Sequence, residues 1–277
     1  MNLGFCSLAS GSSGNCYLIR SDNTNLILDT GISCKAIKEG LESLGLSLKD
    51  IDGIFITHDH IDHIKGLRTL LKKSDCPVYA SYGTLKELAG KIDGLPWERL
   101  IEVSAGEDFA TGDIEVNAFN LSHDTPEPIS FTFARGEYKA AVVTDTGYVS
   151  DEIFDNIKDA DILALEANHE RNILLYGSYP YPLKLRILSD VGHLSNESCA
   201  HCLTEIMRYR RIRKKITGPE MSGPFRVFLA HLSKENNTPE QALITVRNVL
   251  EEEGFLEGRD LELRVLDRDR RSGFFTI

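Results

Sequence analysis

The segment Thr57–His63 carries the clearest chemical signal in this 277-residue chain. Its last six positions hold three histidines and two aspartates, directly after the apolar run 51–56. Such crowded titratable side chains add nothing to packing and are costly to desolvate unless something binds them. Imidazole and carboxylate are ligands for zinc, manganese and iron, and two adjacent ions provide a hydroxide near neutral pH. This segment, called the HxHxDH motif below, predicts two divalent metal ions and a metal-dependent hydrolase.

Four further apolar runs end in a residue of the same chemical type. Each such residue, taken alone, is more often structural than functional. Because strand ends in layered α/β folds converge on one rim, the four together indicate a shared site. The four residues are His123, Asp145, Glu166 and His231.

The order of the elements predicts the fold class. Short strand-like runs dominate the N-terminal third, and strands alternate with helices after it, which predicts an α/β (α+β) chain with two packed sheets flanked by helices. The clearest helix start is at Thr238, a capping residue followed by Pro239 and, in the third helical position, Gln241. Predicted strands cover residues 3–8, 16–20, 25–29, 51–57, 77–80, 113–120, 129–134, 139–144, 161–166, 226–230, 261–266 and 274–277. Predicted helices cover residues 37–44, 62–71, 84–91, 151–157, 197–208 and 241–253, and residues 171–192 are irregular or mixed.

Composition and patterning predict one globular domain over residues 1–277. The chain shows no repeat and no linker rich in proline, glycine or serine. No apolar run approaches the roughly 18 residues of a membrane helix, and the start lacks the basic and apolar regions of a secretion signal. We therefore expect a cytoplasmic location, no membrane partner and reduced cysteines. Cys199 and Cys202 fit a buried helix face better than a zinc or redox motif.

One strip of the sequence is strongly basic. Arg208–Lys215 holds six basic residues in eight, in a chain whose net charge is −11. Such a strip is either a solvated helix face or a contact to a phosphate backbone, and the sequence leaves both interpretations open. Together with the residues that follow, it reads as a basic excursion at about 208–224, inserted before the strand 226–230.

The HxHxDH motif followed by His123, Asp145 and His231, in this order, resembles the metallo-β-lactamase superfamily. The resemblance covers nearly the whole chain and implies a four-layer αββα sandwich with a dinuclear metal centre. It implies that His58, His60 and His123 hold one ion, that Asp62, His63 and His231 hold the other, and that Asp145 bridges both.

Longer strings narrow the resemblance to the nuclease branch of that superfamily, and within it to YycJ/WalJ-type proteins. This family implies a metal-dependent phosphodiesterase that acts as a 5′-to-3′ exonuclease on duplex DNA. The predicted catalytic residues are Asp62, the general acid His193 and Glu166, which orients His193. The strings are Leu8-Ala-Ser-Gly-Ser-Ser-Gly-Asn15, Glu166-Ala-Asn-His-Glu170, Leu188-Ser-Asp-Val-Gly-His-Leu-Ser-Asn196 and Leu229-Ala-His-Leu-Ser-Lys-Glu-Asn-Asn237.

Four small polar residues are candidates for contacts to substrate phosphate, with turn and helix-cap roles as the alternative. They are Ser13, Asn15, Ser195 and Asn196. The expected partner is nucleic acid, DNA above all. Two other functions compete with this hypothesis: a small-molecule metallo-hydrolase that acts on a thioester, lactam or cyclic phosphodiester, and a non-catalytic metal-bound scaffold.

Overall fold

The computed structural model of the chain describes residues 3–217 and 225–277. These residues form fourteen strands, nine α-helices and two short 3-10 helices, Leu48–Asp50 and Trp97–Arg99. The strands are β1 (Gly4–Ala9), β2 (Cys16–Arg20), β3 (Asn25–Leu28), β4 (Gly53–Phe55), β5 (Val78–Ala80), β6 (Leu100–Glu102), β7 (Asp108–Thr111), β8 (Ile114–Asn120), β9 (Ile129–Arg135), β10 (Tyr138–Val143), β11 (Ile162–Glu166), β12 (Phe225–Ala230), β13 (Leu261–Val265) and β14 (Phe275–Thr276). The helices are α1 (Cys34–Glu42), α2 (Ile61–Ile64), α3 (Leu67–Leu70), α4 (Tyr82–Lys91), α5 (Asp151–Ile157), α6 (Arg171–Tyr176), α7 (Tyr181–Ile187), α8 (Asn196–Thr217) and α9 (Pro239–Glu252).

The chain divides into two compact units. The first unit comprises Met1–Asn120, Thr125–Gly136 and Asp267–Thr276. Its larger sheet has the strand order β14-β1-β2-β3-β4-β5-β6, antiparallel from β14 to β3 and parallel from β3 to β6. Strands β7, β8 and β9 follow as an antiparallel meander. Parallel strands β3 and β4 therefore end at the same edge of the larger sheet, where the HxHxDH motif begins.

The second unit comprises Leu121–Asp124, Glu137–Leu266 and Ile277. Its strands β10, β11, β12 and β13 are parallel neighbours in that order. Strand β11 is buried at all five positions, which explains its uninterrupted apolar sequence before Glu166. Helix α9 begins as predicted, since the Thr238 side chain accepts a hydrogen bond from the backbone amide of Gln241.

Two predicted helices differ in extent from the observed ones. The helix predicted over residues 62–71 is divided into α2 and α3 at Gly66, where a Cβ atom would lie 2.4 Å from the Ile32 carbonyl oxygen. Helix α8 does not end at residue 208 but continues to Thr217, so the first part of the basic excursion is helical. The rest of that excursion, residues 218–224, lies outside the described residues.

Among the described residues, no helix combines the length and apolar character that crossing a membrane requires. All six cysteines are free and buried, and Cys199 and Cys202 lie on the buried face of α8.

Candidate metal centre

The HxHxDH motif lies just beyond β4 in the first unit. The chain continues without regular structure from Phe55 to His60, which is the N-cap residue of α2. The His58 ring centroid lies 4.8 Å from that of His60 and 4.0 Å from that of His63. His58 and His63 are fully buried, whereas His60 and Asp62 are partly exposed. The strand end and the helix start thus gather three imidazoles and one carboxylate.

Asp29, which directly follows β3, positions this motif. Its carboxylate lies 2.7 Å from Nδ1 of His63 and accepts hydrogen bonds from the amide and hydroxyl of Thr57 at 2.9 and 3.0 Å. A proton on Nδ1 of His63 donates to Asp29, which leaves Nε2 as the lone-pair nitrogen of the ring. Metal-ligating histidines typically have this kind of carboxylate partner.

The distance between ring nitrogens of His58 and His60 shows whether one metal ion could bind to both. Nε2 of His58 lies 3.2 Å from Nδ1 of His60, and the Thr57 hydroxyl contacts the other nitrogen of His58 at 3.0 Å. Two nitrogens that bind one tetrahedral ion at ~2.0–2.1 Å are separated by ~3.3 Å. The observed spacing and the imidazole donors therefore fit a divalent transition metal.

Backbone hydrogen bonds hold the motif against two loops of the same unit. The Asn15 amide donates to the Asp62 carbonyl at 2.8 Å, the Thr30 amide to the His63 carbonyl at 2.7 Å and the Gly31 amide to the Asn15 carbonyl at 2.8 Å. A Cβ atom on Gly31 would lie 1.6 Å from the Asp62 carbonyl oxygen, so this approach requires glycine. The candidate metal-binding side chains are consequently anchored at their backbone.

A second group of such residues lies in the second unit and is called the strand-end cluster. Asp145 follows β10, Glu166 ends β11 and His231 follows β12. Because these parallel strands are neighbours, their carboxyl ends meet at one edge of the sheet. His193, from the segment between α7 and α8, joins them, and one ligand atom from each of these four residues lies within 4.8 Å of the others. His123 completes the cluster, with its Nε2 3.7 Å from the Asp145 carboxylate.

Glu166 is the hub of the strand-end cluster. One carboxylate oxygen lies 2.8 Å from Nδ1 of both His193 and His231, and the other accepts the backbone amides of Thr146 and Leu194 at 3.1 and 3.2 Å. Burial raises the pKa of Glu166, but the charge and hydrogen bonds of His193 and His231 outweigh burial and lower it to about 2. Glu166 is therefore an ionised acceptor that fixes the orientation of two imidazoles.

His193 differs from the other histidines of the cluster in exposure, and its own pKa is raised. Its side chain is 15% exposed, whereas those of His123 and His231 are 1% exposed. Burial lowers the pKa of His193, yet the Glu166 carboxylate, its hydrogen bond and Asp145 together raise it above the usual value. His193 is thus the cluster histidine best placed to carry a proton to a bound molecule.

The other two histidines of the cluster each have one ring nitrogen engaged by the protein. Nδ1 of His123 contacts the carbonyl oxygens of Val191 and Gly192 at 3.1 and 3.2 Å. Nδ1 of His231 is held by Glu166, and the Asn168 carboxamide donates to the His231 carbonyl oxygen at 3.0 Å. These contacts leave Nε2 of each ring as the candidate metal-binding atom.

Backbone strain marks three of these positions. Asp29, Asp145 and His231 have φ angles of 59°, 60° and 54°, in the left-handed region that residues other than glycine rarely adopt. Each follows a buried strand. Strain of this kind costs roughly 1–3 kcal/mol per residue and concentrates where a side chain must point in one functional direction.

The four candidates for phosphate contacts have different surroundings. Ser13 is exposed, whereas Asn15 is buried and its carboxamide contacts Gly11 and Nε2 of His63. Ser195 accepts the Ser198 amide at the start of α8, and the buried Asn196 carboxamide bonds to Glu170 and Asn237. The contacts of Asn15, Ser195 and Asn196 are those of turn and cap residues, whereas Ser13 is exposed and Ser195 is partly exposed.

Most basic side chains of the strip contact other residues of the same chain. Arg208 bonds to Glu205 and Glu253, and Arg213 to Asp159. The guanidinium of Arg210 lies 4.2 Å from the Phe225 ring, and that of Arg211 lies 4.0 Å from the Phe255 ring. Lys214 and Lys215 are exposed and make no ion pair with the residues that the structure describes. The arginines of the strip thus hold α8 in place.

Sequence reasoning missed two positioning residues. Asp29 ends the predicted strand 25–29, so the rule that identified Asp145 and His231 applied to it equally. Asn168 lies two residues after Glu166, in the segment Glu166–Glu170. The sequence alone does not show which group its carboxamide contacts. The contact between Asp29 and His63 depends on which strands are neighbours, and the sequence does not state that order.

Comparison with known proteins places the chain in a family. Residues 24–213 match the model of the β-lactamase superfamily domain. The chain is 40% identical to the exodeoxyribonuclease YycJ of Bacillus anthracis over 267 residues, which are 96% of each chain. It is 37% identical to the exodeoxyribonuclease WalJ of Streptococcus pneumoniae over 92% of this chain and 91% of that one.

Solved structures agree on the fold. The metallo-β-lactamase fold protein YhfI of Bacillus subtilis superposes with a TM-score of 0.70 at 15% identity, over 98% of this chain and 99% of that one. The predicted fold class is thereby confirmed. The chain belongs to the β-lactamase superfamily and, within it, to the family of the exodeoxyribonucleases YycJ and WalJ.

Proposed function

We propose that the protein is a metal-dependent exodeoxyribonuclease that digests duplex DNA in the 5′-to-3′ direction. The names of the relatives at 37–40% identity support a DNA substrate. The observation that carries the chemistry is the pair formed by His193 and Glu166, 2.8 Å apart and beside Asp145. A phosphodiester leaving group needs a proton, and this pair offers one next to residues of metal-binding type.

The ligand assignment extends the family resemblance to this chain. We assign His58, His60 and His123 to one divalent ion, Asp62, His63 and His231 to a second, and Asp145 to both. The Nδ1 contacts of His63, His123 and His231 support this assignment, because each fixes the ring through Nδ1, so that a metal would bind at Nε2, in His63 in place of the Asn15 carboxamide. When bound, zinc or manganese, with iron as a further possibility, supplies an acidified water and stabilises charge on the phosphoryl oxygens.

Within this assignment the protein residues divide the remaining work. Glu166 accepts the Nδ1 proton of His193, so the proton available for transfer is on Nε2. The raised pKa of His193 keeps that nitrogen protonated to a higher pH than an ordinary histidine. Asp29 and Thr57 orient the imidazoles of the HxHxDH motif, and Asn168 holds the backbone of His231. Asp62 acts as a metal ligand in this scheme.

An end-labelling experiment tests the function. Metal-loaded protein is incubated with duplex and single-stranded DNA labelled at the 5′ or the 3′ end, and the product ladders are compared. We expect early release of 5′ label from duplex DNA and its loss in His60→Ala, because that variant lacks one imidazole of the first ion.

The control is His201→Ala, which removes an exposed histidine of α8. We expect it to digest DNA as the wild type does. Undiminished digestion by His60→Ala, or a metal-loaded wild type that leaves all DNA intact, would overturn the proposed function. Turnover of a thioester or lactam by such an inactive wild type would favour the small-molecule hydrolase instead.

A further inference from the structure

The first unit contains a cavity of about 510 Å³ beside the HxHxDH motif. Its volume falls in the range of roughly 300–1,000 Å³ that is usual for ligand-binding clefts. Apolar atoms of Leu8, Ile32 and Ala36 line part of it. Five further lining side chains bind anions readily and define what we call the cationic groove: Ser13, Ser33, Lys65, Arg268 and Arg271.

The charges of the cationic groove favour an anion. Lys65 is exposed and has no ion-pair partner among the described residues, and Arg271 contacts the Ser272 carbonyl and the Cys6 thiol but no acid in that part of the chain. Two acids, Glu39 and Asp269, also line the cavity, and Glu39 lies 3.8 Å from Lys35. The lining is therefore net positive in a chain whose net charge is −11.

Backbone contacts tie the cationic groove to the HxHxDH motif. Lys65 lies two residues after His63, and the amide of the next residue, Gly66, donates to the Thr30 carbonyl at 2.7 Å. Ser13 lies two residues before Asn15, whose carboxamide is 3.1 Å from Nε2 of His63. A phosphate in the groove would therefore be held by the same loops that hold the metal-binding imidazoles.

The basic strip of α8 is the obvious rival for phosphate binding. Its four arginines already contact acidic side chains, carbonyl oxygens or aromatic rings of the protein. Binding DNA through them would require those contacts to break, and only Lys214 and Lys215 remain available. The cationic groove has fewer cations, but it combines them with a cavity and an apolar floor.

We propose that the cationic groove binds a backbone phosphate of the DNA substrate, at a nucleotide other than the one being cleaved. Lys65 and Arg271 neutralise the phosphate, Ser13 and Ser33 donate hydrogen bonds, and the apolar floor receives the sugar or base of the same nucleotide. This inference rests on the proposed exonuclease function and assigns part of its substrate specificity.

A double variant, Lys65→Gln with Arg271→Gln, tests the groove in the metal-loaded full-length protein. The kcat/KM for duplex DNA is measured at several salt concentrations, and bis(p-nitrophenyl) phosphate serves as a small phosphodiester that needs only the metal centre. We expect a several-fold rise in KM for DNA and a salt slope that is shallower by roughly 1, because one phosphate contact is lost. Turnover of the small ester and the metal content should stay at wild-type levels.

The matched control is Lys214→Gln with Lys215→Gln, which removes the same charge from the exposed end of α8. We expect this variant to retain the wild-type KM and salt slope. Unchanged DNA kinetics in the groove variant, or an equal effect in the control, would overturn the inference. A wild type that hydrolyses the small ester but no DNA would contradict the exonuclease function itself. Failure of the groove inference is a different result, because there the wild type digests DNA and the groove variant digests it equally well.

Discussion

The HxHxDH motif and the strand-end cluster are built in opposite ways from similar residues. The motif lies in one short segment between β4 and α2, and Asp29 and Thr57 position its imidazoles. The cluster draws its members from the ends of three strands and from two loops, with Glu166 as its hub. The cluster also contains His193, which is partly exposed and shares Glu166 with His231. The difference is consistent with our proposal that both regions hold metal and that the cluster additionally transfers the proton.

The largest expected effect that separates the two roles comes from His193→Ala. General-acid groups contribute about 10²–10⁴-fold to a rate, so we expect kcat for DNA to fall by that factor. Because His193 is not a metal ligand in our assignment, the metal content should stay at the wild-type level. Kinetics and elemental analysis on the same preparation check this, and a loss of metal from His193→Ala would show that His193 is a ligand.

The second effect concerns the pH profile of Glu166→Gln. The carboxylate raises the pKa of His193, so its removal lowers that pKa and the acid loses its proton at a lower pH. We expect the alkaline limb of kcat against pH to move to lower pH, with a rate loss of about 10–100-fold. An alkaline limb that keeps its position would contradict the role given to Glu166.

The smallest effect is expected for Asp29→Asn, the matching change in the HxHxDH motif. The amide keeps an acceptor oxygen but not the charge that holds His63, so we expect metal affinity to fall by about 10-fold, the low end for such partners. Titration of metal-free protein with zinc or manganese measures this. The alkaline limb should stay in place, and a shift as large as that of Glu166→Gln would remove the distinction between the two regions.

The sequence predicted the fold class because it rests on local patterns, and the roles of the candidate site residues stay a prediction. Membership of the superfamily confirms the predicted fold class and the prediction of a metal-dependent hydrolase. His123, Asp145 and His231 could be identified as candidates from the sequence because each follows an apolar run and is of a metal-binding type.

Contacts distant along the chain were not predictable in the same way. The basic strip shows this, because its composition is that of a phosphate contact whereas its arginines meet Glu253, Asp159 and the rings of Phe225 and Phe255. The cationic groove was missed for the converse reason. Ser13 was a candidate for a phosphate contact, but Lys65 and Arg271 belong to no motif and lie in separate segments, and only the fold brings the three residues to one cavity.

The metal content of the folded protein tests the central claim most directly. Wild type, His60→Ala and His193→Ala are each purified, reloaded with zinc or manganese and measured by elemental analysis, with circular dichroism to confirm folding. We expect close to two ions per chain in the wild type and in His193→Ala, and a clear loss in His60→Ala. A folded wild type that takes up no ion, or a His60→Ala variant with full occupancy, would contradict the account.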